Sequence, residues 1–222
     1  YLAHTLEETA RMAVDLANGD PVKDNYCDPI DYEVSRPLAA DKTVKGLYSG
    51  GSLAAEAGML IAEALNLGGL IKEEGYILKT GGYEVVDLGD DVYTQGKPHP
   101  MIDPEVRIKK ILECAKDPQT GVILLDCMLG YGCHPDMAGA LAPAIREAQE
   151  IAKADGRELY FVASVCGTRQ DPQDYDCAVA ELKECGVLVE ESNARAIRLA
   201  LKLKGIDYKE NTRGHVEVAV DE

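Results

Sequence analysis

The sequence predicts an α/β fold with a doubly wound parallel sheet, and three observations carry that expectation. Short apolar segments alternate with helical ones from Thr43 onward, strand then helix, five times over. The strand Val122-Ile123-Leu124-Leu125 is apolar at consecutive positions, as suits a central parallel strand covered on both faces. Val44, Leu47 and Tyr48 lead into Ser49-Gly50-Gly51 and then an Ala- and Leu-rich run from Ser52 to Leu65, which reads as strand, tight turn and helix. Crossovers between such strands are right-handed.

Taken in order, the chain opens with an amphipathic helix over Leu2–Ala17. Leu6, Ala10, Ala13, Val14 and Ala17 form its apolar stripe, Thr5 with Glu8 makes a capping box, and Asn18-Gly19-Asp20-Pro21 ends it. Residues 21–41 hold Pro21, Pro29 and Pro37 with no clear period and read as an extended connection. Residues 1–41 are therefore an arm, and residues 42–222 the domain. After the first strand, turn and helix come Leu67-Gly68-Gly69-Leu70 and a polar stretch to Gly82, then a strand at Tyr83–Leu88. A long loop follows through Pro104, of a length that is usually functional or mobile. Asp103 is placed to cap a helix with Pro104 in its first position and Glu105 in its acidic first turn. That helix runs to about Lys116, with Val106, Ile108, Ile111, Leu112 and Ala115 for its inner face. The strand Gly121–Asp126 empties into the loop Cys127–Pro135, and a helix covers Asp136–Ala152. Leu159–Ala163 is a strand, Ser164–Asp174 its loop, Tyr175–Glu184 a helix and Gly186–Val189 a short strand, and Ser192 caps a last helix to about Lys204.

Of the 222 residues 46% are hydrophobic, enough for a sizeable core, and the net charge of −16 argues against nucleic acid or an anionic membrane as main partner. Small anions stay open, because backbone amides bind them locally. No apolar run is long enough to span a bilayer and no signal peptide is visible. The first residue is Tyr1 rather than Met, so the sequence reads as a fragment or a trimmed piece. Its seven cysteines form no CxxC pair and are odd in number, as expected of reduced thiols in a cytoplasmic protein.

Ligands of doubly wound sheets sit at the carboxyl ends of the strands. The Ser49–Leu53 turn and the three loops 90–103, 127–135 and 164–174 all lie at that edge, and bring His99, His134 and Arg169 with them. At the turn, free N–H groups and the positive end of a helix dipole suit a phosphate or carboxylate; the alternative is an ordinary βα turn with a Ser cap. His99 lies between Pro98 and Pro100, outside any core pattern. His134 follows Cys133, but a metal site needs further ligands at regular spacing, so none is expected. Cys166 ends a strand without an evident base. Asp90 and Asp91 read as acid/base groups or as solvated turn residues, and Tyr131 as a pocket lining.

Three stretches resemble the FdrA family, whose members are akin to the α subunit of succinyl-CoA synthetase: Gly46-Leu47-Tyr48-Ser49-Gly50-Gly51-Ser52-Leu53-Ala54-Ala55-Glu56-Ala57, Val86-Asp87-Leu88-Gly89-Asp90-Asp91, and Gly96-Lys97-Pro98-His99-Pro100-Met101-Ile102-Asp103. The resemblance runs from about Leu2 to about Leu203 and covers only the ligase-like part of the longer FdrA chains. It implies a flavodoxin-like fold, in which a helix N-terminus points at the phosphate of a phosphohistidine, with Ser49, Gly50, Gly51 and Ser52 in the matching positions. Asp117-Pro118-Gln119-Thr120 also resembles the loop before the family's third strand. The departures are specific. The family's phosphohistidine lies in a Gly-His-Ala-Gly segment after the fourth strand, whereas Val165-Cys166-Gly167-Thr168-Arg169-Gln170-Asp171-Pro172 contains no histidine, and the acid that orients it is matched roughly by Cys127.

Without that relay, the resemblance implies a phosphate-binding subunit of an oxamate carbamoyltransferase-type complex, which phosphorolyses oxalurate in allantoin breakdown. Phosphate or carbamoyl phosphate would lie on the amides of Ser49, Gly50, Gly51, Ser52 and Leu53, with His99 or Arg169 to polarise or protonate. No tightly bound cofactor is expected, CoA is the other ligand the family admits, and other subunits or a second copy are the expected partners. The rival expectations are an acyl-CoA synthetase-type ligase completed by a partner subunit, and a non-catalytic scaffold.

Overall fold

β1 (Thr43–Tyr48) is buried at every position, because it runs through the middle of a six-stranded sheet. The computed structural model describes residues 1–67 and 73–208; Gly68, Gly69 and Leu70 lie outside them. β1 pairs with β3 (Tyr83–Asp87) on one side and with β4 (Thr120–Met128) on the other, both parallel. β5 (Tyr160–Cys166) and β6 (Leu188–Glu190) continue the parallel sheet beyond β4. At the other edge β2 (Tyr76–Thr80) runs antiparallel to β3, giving the order β2-β3-β1-β4-β5-β6. Without β2, the parallel strands follow one another as second, first, third, fourth and fifth, the flavodoxin-like order.

Alternation along β1 divides the core. Val44 and Tyr48 join Leu60, Ile61 and Ile197 under α2 (Gly51–Ala64) and α7 (Asn193–Leu203). Leu47 joins Ile111, Leu125, Ile145 and Phe161 under α4 (Glu105–Lys116), α5 (Met137–Ala154) and α6 (Tyr175–Glu184). The connections after β1 and β4 leave toward opposite faces, so the topological switch point, where a crevice opens, lies between those two strands.

Most elements stand where the sequence places them, and the differences have local causes. β2 falls in the stretch read only as polar. Its hairpin turns on Gly81 and Gly82, at φ +56° and +85°, the left-handed pair that a two-residue hairpin loop requires. β4 and β5 run on to Met128 and Cys166, beyond the predicted ends. A short helix, α3 (Asp91–Thr94), occupies the long loop, with the Asp90 side chain accepting from the Val92 N–H. α2 starts one residue early, at Gly51, with Gly50 as its N-cap and no side-chain cap. Pro104 takes the N-cap position of α4, and Asp103 Oδ1 accepts the Glu105 N–H at 2.9 Å.

The arm differs more. α1 (Leu6–Asn18) has its predicted Thr5 cap, yet its apolar stripe faces solvent: Leu6, Ala10, Ala13, Val14 and Ala17 are exposed, while Glu8 and Met12 are buried. The helix docks by its polar side. Glu7 pairs with Arg198 of α7 at 3.0 Å, and the Leu6 N–H donates to Glu56 of α2 at 2.7 Å. Residues 20–42 hold no helix or strand and return to the domain through Leu38 N–H on Leu203 O at 2.9 Å and Lys202 Nζ on Ile30 O at 2.8 Å.

Candidate functional site

At the switch point the chain leaves β1 through Ser49 and Gly50 and enters α2. Asp126, close to the carboxyl end of β4 and fully buried, turns its side chain into this bend. It accepts the Ser49 N–H at 2.9 Å, the Ser49 hydroxyl at 3.0 Å and the Gly50 N–H at 2.8 Å. Arg107, fully buried on α4, donates from Nη2 to Asp126 Oδ1 at 2.9 Å and to the Asp126 carbonyl. A desolvated guanidinium and a desolvated carboxylate are each tolerated only with the other present.

This clamp divides the predicted cradle. Ser49 and Gly50 already donate to Asp126. The donors left for an anion are the N–H groups of Gly51, Ser52 and Leu53, first-turn groups with no intrahelical partner. Gly51 and Ser52 are exposed there. Asp87, at the end of β3, stands beside them: a Cβ added to Gly51 would lie 2.7 Å from Asp87 Oδ2. Asp87 Oδ1 accepts the Gly89 N–H at 2.8 Å. Burial raises the Asp87 pKa above its ordinary value against that hydrogen bond, with Asp90 and Asp126 adding to the rise and His99 opposing it.

His99 reaches the same place. A Cβ on Gly89 would meet His99 Nε2 at 2.5 Å, Ser49 O at 2.9 Å and Asp87 Oδ1 at 3.1 Å, so only glycine fits where these groups converge. His99 Nδ1 accepts the Met101 N–H at 3.2 Å, which assigns the ring proton of the neutral imidazole to Nε2, the nitrogen facing Gly89.

Arg169 is placed elsewhere. Its guanidinium makes a bidentate pair with Asp176 of α6, at 3.0 and 2.9 Å, and stays exposed. The two residues expected to polarise the substrate therefore part: His99 lies at the turn, and Arg169 is tied to α6. His134 Nδ1 accepts the Asp136 N–H at 3.0 Å, and the His134 main-chain N–H donates to Met101 O at 2.7 Å, joining the β4–α5 loop to the His99 segment. Asp90 acts as the α3 cap. Tyr131 is 93% exposed. Cys127, the rough match to the family's orienting acid, is buried, and burial pushes its thiol up to about 12. Burial also raises the Cys166 thiol, against a nucleophilic role. Among the described residues no three His, Cys, Asp or Glu side chains converge as metal ligands would, and no helix is long and apolar enough to cross a membrane.

Sequence reasoning passed over Asp87, Arg107 and Asp126. A signal existed for two of them. Asp126 interrupts a wholly apolar strand at its carboxyl end, and Arg107 falls on the stripe with Ile111 and Ala115, each four residues apart.

The family model described as CoA-ligase matches residues 47–203. YahF of Escherichia coli (strain K12), described as an uncharacterized protein, is 35% identical over 184 residues, covering 76% of this chain and 36% of YahF. The chain thus spans about a third of that relative's length. It belongs to the CoA-ligase family.

Proposed function

We propose that this member of the CoA-ligase family is the anion-holding part of a carbamoyl-transferring enzyme of the FdrA and oxamate carbamoyltransferase type. It takes phosphate or carbamoyl phosphate at the first turn of α2, and no phosphoryl group passes through a histidine. The observation that carries this reading is the state of His99 beside the open amides of Gly51, Ser52 and Leu53. With Nδ1 engaged by Met101, Nε2 bears the proton. In that tautomer Nε2 donates to an oxyanion, whereas attack on phosphorus through Nε2 requires the proton on Nδ1, which faces the Met101 N–H. His134 is engaged through Nδ1 in the same way, and residues 167–174, between β5 and α6, contain no histidine.

In phosphorolysis an oxygen of hydrogen phosphate attacks the carbamoyl carbon, the bond from that carbon to nitrogen breaks, and the departing amide takes up the proton that the phosphate gives up. The α2 amides hold the phosphate, and His99 Nε2–H supports the negative charge growing on the carbamoyl oxygen. In this reading other subunits hold the rest of the substrate. A second reading draws on the family itself: related CoA-ligases bind CoA, and a partner could bring the missing histidine to this chain.

Calorimetric titration separates these readings. Carbamoyl phosphate is expected to bind saturably to the wild-type chain. Ser52→Glu is expected to weaken that binding at least tenfold while leaving the melting temperature unchanged or slightly raised, because an acid in a helix's first turn stabilises it by about 0.3–1 kcal/mol. Binding of CoA alone would favour the ligase reading, and binding of neither the scaffold.

A further inference from the structure

We propose that Arg107 and Asp126 are positioning residues for the α2 site: Arg107 holds the Asp126 carboxylate, Asp126 holds the Ser49–Gly50 bend, and a salt bridge that touches no ligand thereby sets the direction of the Gly51–Leu53 amides. The inference rests on the reading that an anion binds those amides. Three donors of one bend converge on a single carboxylate, two of them main-chain N–H groups. The N-cap of α2 is a glycine with no side chain to take the first-turn N–H groups, and Asp126 accepts main-chain N–H groups only from Ser49 and Gly50 before them, so those groups stay open. The counter-charge of Asp126 comes from α4, on the opposite face of the sheet from α2, so the pair joins both helical layers at the switch point.

Charge and position make opposite demands here. An anionic ligand near a bare carboxylate is repelled, and removing that carboxylate should tighten binding. Arg107 cancels the Asp126 charge at 2.9 Å, so the pair acts as a neutral brace and its loss is felt through geometry. Asp126→Asn keeps one acceptor oxygen but loses the second, and leaves Arg107 uncompensated.

The test uses Asp126→Asn, and Asp126→Leu alone and combined with Arg107→Met, with carbamoyl phosphate as the calorimetric probe and hydrogen exchange read at Ser49 and Gly50. Folded Asp126→Asn is expected to bind about tenfold more weakly than wild type and to exchange these two amides at least tenfold faster, with β4 protection kept. The double variant, which replaces the ion pair by apolar side chains, is expected to recover most of the melting temperature lost in Asp126→Leu. It is not expected to recover the amide protection or the affinity, a split that a merely structural role would not produce. Folded Asp126→Asn that binds as tightly as wild type, or that keeps Ser49 and Gly50 protected, would overturn the proposal. If the wild type binds no carbamoyl phosphate, the anion reading falls by itself, and the exchange rates still decide whether Asp126 holds the bend.

Discussion

The arm and the switch point both put carboxylates inside the protein, and they use them differently. In the arm, Glu7 is met by side chains: Arg11 at 2.7 Å, Arg198 at 3.0 Å and the Ser192 hydroxyl at 2.9 Å. At the switch point, Asp126 is met by the backbone of Ser49 and Gly50 as well as by Arg107. Around Glu7 a side-chain network, together with the Leu6 N–H on Glu56, decides how a helix docks. A carboxylate on main-chain amides decides where a helix begins and which way its free donors point. The arm can therefore turn its apolar stripe outward and still dock, while the bend before α2 depends on one acceptor.

The largest expected effect falls on that acceptor. Asp126→Leu leaves Arg107 buried without a counter-charge and should cost about 3–5 kcal/mol in urea unfolding; a loss below about 1 kcal/mol would mean that water reaches the guanidinium. Next comes the arm, where two neighbouring apolar residues should behave in opposite ways. Met12 is 5% exposed and Val14 58%. Met12→Ala should cost about 2 kcal/mol or more, and Val14→Ala should stay within about 0.5 kcal/mol of wild type. The reverse ranking would show that the predicted stripe is the docked face after all.

Asp87 gives a smaller effect, visible through pH. Its folded pKa is raised from the ordinary 3.8, so the native state binds this proton more tightly than the unfolded chain does. Wild-type stability therefore gains at this residue as pH falls through the folded pKa toward 3.8, and the ionised form is the costly one at neutral pH. Asp87→Asn should show its greatest advantage over wild type near pH 7, shrinking on acidification. An advantage that grows on acidification would contradict the assigned direction.

The sequence showed the parallel sheet, six of the seven helices among the described residues and the βα turn, because these follow from local periodicity, caps and glycine. It missed β2, whose Gly81-Gly82 hairpin signal lay between runs too short to stand out. It found α1 and its Thr5 cap but began the helix at Leu2 rather than Leu6, and it could not say which side docks, since that depends on Arg198, 191 residues from Glu7 along the chain. His99 was identified from its setting between two prolines, and its approach to Gly89 became visible only in three dimensions. Asp126 and Arg107 escaped for a related reason: each sits singly in an apolar pattern, and their pairing joins β4 to α4. Arg169 was drawn toward the site by topology alone, but its nearest carboxylate, Asp176, lies seven residues on and holds it there.

The most direct test of the account follows the individual backbone amides of residues 49–53 by NMR while carbamoyl phosphate is added to the wild-type chain. The expected result is saturable downfield movement at Gly51, Ser52 and Leu53, with Ser49 and Gly50 nearly still because Asp126 already holds them. Movement of Ser49 and Gly50 in place of the other three, or no movement at any of the five, would contradict it.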